Sequence, residues 1–127
     1  ILEAQPETVM VYGPTRYWYG WTGNSKDIKR DFVQPLGLPA NTLFQGSHLL
    51  TLFLEKPGRL PCTCGLLAKR AVVVETGGFD VTIQNMYEDQ IFLAKICLSG
   101  PVFVDAGCWD KYRQHPESSS YIAINSG

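Results

Sequence analysis

The segment from Tyr87 to Leu98 restricts the fold more than any other part of the chain. Behind a first turn holding Glu88 and Asp89, the residues Ile91, Phe92, Leu93, Ala94, Ile96, Cys97 and Leu98 leave only Gln90 and Lys95 polar. The spacing predicts a helix whose apolar residues run around most of its circumference. Such a helix is buried on more than one side, so the chain must wrap further layers around it. The acids sit where the positive end of the helix macrodipole favours them, and Ser99-Gly100-Pro101 stops the helix.

Short strands and helices supply those layers. Thr8-Val9-Met10-Val11-Tyr12 is apolar and β-branched, ends at Gly13-Pro14, and reads as a buried strand. Arg16 to Trp21 carries Tyr17, Trp18, Tyr19 and Trp21, either a packed loop or a platform on which sugars stack. Asn24 or Ser25 caps a helix through Asp27 to Val33, closed by Pro35 and Gly37. Ser47 caps another with Leu49, Leu50, Leu52, Phe53 and Leu54 as its stripe, ended by Lys56-Pro57-Gly58. Cys62 to Ala68 reads as a strand. Lys69 to Thr76 is divided between the strand propensity of Val72-Val73-Val74 and the helix C-cap signal of Gly77-Gly78, and helix is preferred. Val102-Phe103-Val104 and Cys108 to Arg113 are further strands, and the tail beyond Pro116 is a loop.

A chain of 127 residues makes one domain at most. With 45% apolar and 18% charged residues it is globular and not disordered. Net charge is -1, and Lys and Arg form no cluster on any predicted face, so no nucleic-acid partner is expected. The longest apolar stretch is broken by Lys95, far short of the ~20 residues that cross a bilayer. Glu3, Pro6 and Glu7 fall where the apolar run of a signal peptide would lie. Cys62, Cys64, Cys97 and Cys108 are read as small buried thiols in a reducing compartment, since Cys-Thr-Cys lacks the usual zinc spacing and a second ligand pair. Ile1 to Pro6 reads as the tail of a helix, which suggests an excised piece.

Three runs then follow in order: Gly77-Gly78-Phe79-Asp80, Tyr87-Glu88-Asp89-Gln90, and Trp109-Asp110-Lys111-Tyr112-Arg113-Gln114-His115-Pro116. Alone, the acids would be dipole partners and His115 a loop histidine. As an ordered set, with Val11-Tyr12-Gly13 and Trp18, Tyr19 and Trp21 before them, they resemble the C-terminal half of a family 2 glycosyltransferase of the GT-A type. The resemblance covers nearly the whole of residues 1–127 and implies an α/β half-domain, a mixed sheet with flanking helices.

Carried over, the resemblance makes Asp89 the general base toward the acceptor hydroxyl and Glu88 its partner. It makes Gly77, Gly78, Trp109, Tyr112 and Arg113 substrate-binding, with Tyr112 and Arg113 beside the donor diphosphate. His115 would complete a divalent cation site, Mn or Mg, in the full-length enzyme. Sugar transfer with inversion needs a base on the acceptor side and charge neutralisation at the leaving group. The implied partners are a nucleotide-sugar donor and a glycan or other hydroxyl acceptor. No Asp-x-Asp, the family's main metal motif, occurs in the sequence, so the isolated chain is expected to be inactive and to bind no cation. The expected location is the cytoplasm, with peripheral membrane association open to the full-length protein. Self-association is expected through a truncated flank of the sheet near Thr8 to Tyr12. Three other readings stand beside this one: a degenerate transferase kept as an interaction module, a sugar-binding domain built on the Tyr17 to Trp21 aromatics, and a small metal-binding domain at Cys62 and Cys64.

Overall fold

The computed structural model describes residues 1–80, 82 and 87–125, with only the backbone of 119 and 120. The strands are β1 (Met10–Tyr12), β2 (Arg16–Trp18), β3 (Phe32–Val33), β4 (Thr42–Phe44), β5 (Leu66–Ala68), β6 (Val102–Val104) and β7 (Lys111–Arg113). The α-helices are α1 (Ser25–Ile28), α2 (Gly46–Glu55), α3 (Arg70–Glu75), α4 (Glu88–Ser99) and α5 (Ser119–Asn125). Two mixed sheets result, one ordered β4-β6-β1-β5 and the other β3-β2-β7. The fold is thus α/β with flanking helices.

Burial of α4 fixes the architecture. Its Phe92, Leu93, Ile96 and Cys97 join Leu49 and Phe53 of α2 against the inner face of the four-stranded sheet, where Met10, Tyr12, Val102 and Val104 are buried. Strand alternation accounts for the choice of face. Met10 and Tyr12 point inward, so Val11 points outward, and its register partners Leu67 and Phe103 do the same. Leu43 pairs with Phe103 and completes an outward apolar row. β1 therefore lies inside the sheet, paired on both sides, and β4 and β5 are the edges. An unpaired edge at Thr8 to Tyr12 does not exist, because β5 and β6 close over it.

The N-terminus of α2 approaches the C-terminus of α4 so closely that only a glycine fits between them. A Cβ on Gly46 would stand 1.8 Å from the Cys97 carbonyl oxygen and 2.3 Å from that of Gly100. This close approach, rather than a cap, sets where α2 begins: its N-cap is Gln45, with no side-chain cap, and Ser47 lies inside the helix. At α3 the C-cap signal prevails over the valine run. Gly78 N–H donates to Val73 and Gly77 N–H to Val74, the paired bonds of a Schellman motif. Both glycines adopt positive φ, 86° and 61°, a conformation that costs L side chains energy.

Other expectations are revised. The helix through Asp27 to Val33 is only α1, capped by Asn24 as expected, and Phe32–Val33 pairs with β2 instead. Cys62 to Ala68 splits into a 3-10 turn, Thr63–Gly65, and β5. Cys108 to Arg113 narrows to β7. The tail carries a helix, α5, and residues 2–7 form turns rather than a helix. Cys97 is the one buried thiol; Cys64 and Cys108 are exposed and Cys62 is half-buried. Among the described residues no helix is long and apolar enough to cross a membrane.

Candidate functional site

The residues singled out by the sequence fall into two groups. The first is built on α4. Tyr87 precedes this helix at φ 69°, a left-handed conformation that is uncommon for a bulky residue and is worth a functional question. Glu88 and Asp89 occupy the first turn. Asp89 Oδ1 accepts the Gln90 amide at 2.8 Å, an anchoring that leaves Oδ2 unengaged among the described residues. Glu88 Oε2 is buried and finds no hydrogen-bond partner among them. An unsatisfied buried carboxylate oxygen is costly.

The Gly77–Gly78 turn is tied to the same helix. Lys95 Nζ donates to the Gly78 carbonyl at 3.2 Å, and Phe79 stacks on Phe92 with centroids 4.3 Å apart and planes at 9°. Among the described residues, only the Lys95 ammonium lies within 4 Å of where a Gly77 side chain would begin. Asp80 beyond it accepts from both the hydroxyl and the amide of Thr82. Those bonds hold the Asp80 carboxyl below its ordinary value, with a smaller contribution from the Lys95 charge. Beside the acids, between α2 and the start of α4, lies an apolar groove of about 580 Å³. Tyr87 and Gln90 form one end of it and Leu50, Leu54, Ile91 and Ala94 its walls.

The second group lies on and after β7. Tyr112 packs edge-on against Tyr17 at 5.6 Å. Arg113 is exposed and rests over the Trp18 and Trp21 rings, 5.5 and 4.9 Å from their centroids. His115 lines a cavity of about 200 Å³ with Tyr19, Arg30, Gln114, Pro116 and Tyr121. Trp109 is 77% exposed, yet its indole N–H donates to Asp105 Oδ2 at 3.0 Å. The same oxygen accepts the Gly107 amide at 3.0 Å. A Cβ on Gly107 would meet the Trp109 ring at 2.4 Å, so this glycine is what lets the indole lie flat.

Among the described residues, the cavity of His115 is lined by a guanidinium and by no carboxylate, and no three His, Cys, Asp or Glu side chains gather as a metal site. A divalent cation would have to take its other ligands from outside these residues.

Sequence reading missed a cluster under β5. Cys64 Sγ donates to Asp110 Oδ2 at 3.0 Å, and Tyr17 Oη lies 3.4 Å from Cys62 Sγ. Burial, the Asp110 hydrogen bond and the Asp110 charge push the Cys64 thiol up to about 12. Cys-Thr-Cys was the only signal, and it pointed to Cys62 and Cys64 without naming Asp110. Sequence reading also scattered the cations. The register of β2 with β7 sets Arg16 opposite Lys111 and Trp18 opposite Arg113, so Lys and Arg do gather on one face. Comparison with family models, with curated proteins and with solved structures finds no match.

Proposed function

We propose that the chain is the acceptor-side half of a GT-A-type family 2 glycosyltransferase. In this reading the protein moves a sugar from a nucleotide-sugar donor to an acceptor hydroxyl with inversion. The observation that carries it is the joining of the Gly77–Gly78 turn to the head of α4. Glu88 and Asp89 sit directly after a strained Tyr87, and Lys95 and Phe92 of the same helix hold the bare Gly77–Gly78 turn. Asp89 takes the acceptor proton through its unengaged oxygen. Glu88, with a buried oxygen lacking a partner among the described residues, orients the acceptor by accepting one of its hydroxyls. The glycine turn lets sugar approach backbone. Tyr112, Arg113 and Trp109 serve the donor and its leaving diphosphate. A divalent cation, Mn or Mg, would take His115 together with ligands outside these residues and would supply charge neutralisation at the leaving group.

The experiment is donor hydrolysis and transfer by the full-length protein, with a panel of nucleotide sugars and Mn or Mg present. Release of nucleoside diphosphate that depends on Asp89 is the expected result. A full-length protein that neither hydrolyses nor binds any nucleotide sugar overturns the reading and leaves a non-catalytic module.

A further inference from the structure

Alternation along β2 and β7 divides their side chains between two faces. Tyr17 and Tyr112 turn inward with Phe32 and Cys62. Arg16, Trp18, Lys111 and Arg113 stand together on the outer face. The Lys111 ammonium lies 5.1 Å from the Trp18 ring centroid, and Arg113 lies over both Trp18 and Trp21. Trp21 is held in turn by its indole N–H, which donates to the Gln114 carbonyl at 2.8 Å. The four aromatics of the Tyr17 to Trp21 run therefore part company: Tyr17 packs inward, Tyr19 lies under Arg30, and the two tryptophans frame the cations.

This arrangement opposes folding. Like charges directly across a ladder destabilise it, and Arg16 faces Lys111 with nothing to offset the pair. Among the described residues no carboxylate lies within 4.0 Å of Arg16, Lys111 or Arg113. Neighbouring acids are committed elsewhere: Asp31 accepts the Tyr19 and Gly20 amides, Asp27 meets Thr22 and Arg30, and Asp110 takes the Cys64 thiol. A guanidinium stacked on indoles keeps its N–H edge free for an oxyanion. Three cations without counter-charge among the described residues, two of them held over tryptophan rings, make a surface complementary to anions carried on an apolar-faced ring.

From this we infer that the outer face of the three-stranded sheet binds a short acidic oligosaccharide, with carboxylates on Arg16, Lys111 and Arg113 and a pyranose ring against the exposed edge of Trp18 and Trp21. The inference shares Arg113 with the transferase reading, which gives that guanidinium to the donor diphosphate, but it uses neither Glu88 nor Asp89 and is tested at Arg16 and Lys111, to which that reading assigns no role. Nucleic acid fits the same face less well. Three cations neutralise at most about three phosphates, a salt slope near -2 on a single strand, where stable complexes use about 6–10 contacts.

The test is calorimetric titration of the chain with trigalacturonate, with maltotriose as the neutral control and oligouridylate as the polymer control. Trigalacturonate is expected to bind and to weaken as salt rises. Each of Arg16→Gln and Lys111→Gln should weaken it about threefold to fivefold, as for exposed ion pairs. Both replaced side chains are exposed, and unliganded Lys111→Gln should melt close to the parent because it removes a like-charge pair and the Trp18 contact together. Binding of maltotriose as tight as trigalacturonate overturns the inference, as does trigalacturonate binding that both variants leave intact. Tighter binding of oligouridylate overturns it too and makes the face a nucleic-acid surface. No heat with trigalacturonate at millimolar concentration sinks it outright.

Discussion

At the scale of single residues, Asp89 bears the heaviest claim. It stands in the first turn of α4, and its Oδ1 is already spent on the Gln90 amide. Asn at this position keeps the shape and that hydrogen bond but takes no proton. Asp89→Asn in the full-length protein should therefore cut turnover by about 10²–10⁴-fold while the donor dissociation constant holds. His115→Ala should weaken donor binding as well as rate. Retention of more than about a third of turnover by Asp89→Asn refutes the base assignment. Cys64 offers a check of another kind. Its thiol is exposed, yet it is pushed up to about 12 by burial of the sulfur and by Asp110. Alkylation requires the thiolate, so at pH 8 Cys64 should label more slowly than Cys108, as followed by mass spectrometry of the peptides. Asp110→Asn removes the carboxylate and should speed Cys64 labelling; no change would mean that the Asp110 contact does not hold the proton.

At the scale of elements, the join between α2 and α4 is the most exacting part of the molecule. Gly46→Ala would drive a methyl group into the Cys97 and Gly100 carbonyls, and both belong to backbone that cannot step aside without moving α4. Overpacking of this kind costs about 1–3 kcal/mol, occasionally more. Urea unfolding should show a loss of at least that size; a variant within about 0.5 kcal/mol of the parent would mean that the two helices are not so close. The sequence announced both helices, because α2 carries a stripe of leucines and α4 is apolar around most of its circumference. It did not announce Gly46 as the contact, because a close approach is a property of two segments far apart in the chain. Strands β3 and β4 were illegible for a related reason: Phe32–Val33 and Thr42–Phe44 are too short to show alternation and are strands only by virtue of their partners. The acidic pair of α4 could be located from spacing and dipole logic alone. The Arg16, Lys111 and Arg113 face could not, since it arises only once β2 and β7 are laid in parallel register.

At the scale of the whole molecule, the core stores a dependence on pH. Cys97 lies under the sheet with 1% of its surface exposed, and burial pushes its thiol up to about 11 from an ordinary 9.0. Tyr12 faces it from β1, raised above the usual tyrosine range first by burial and then by the charge that Cys97 would acquire. Both groups are held protonated in the folded state and ionise more readily when unfolded. The Cys97 contribution to stability is therefore complete below pH 9 and is lost as pH rises through 11, and that of Tyr12 is complete below pH 10 and is lost at higher pH still. For Cys97 alone, a difference of two between 9.0 and about 11 corresponds to about 3 kcal/mol at most. Urea midpoints at pH 7, 9 and 11 should fall across the upper interval, and Cys97→Ala should fall less steeply than the parent. Tyr12→Phe supplies the control. The Tyr12 hydroxyl is buried without a partner among the described residues, so its removal should cost little or nothing at pH 7 and should also flatten the alkaline limb. Parallel decline in the parent and both variants would place the alkaline sensitivity outside the core. The sheet and α4 would then owe their stability to packing alone, with no share held by the protons of Tyr12 and Cys97.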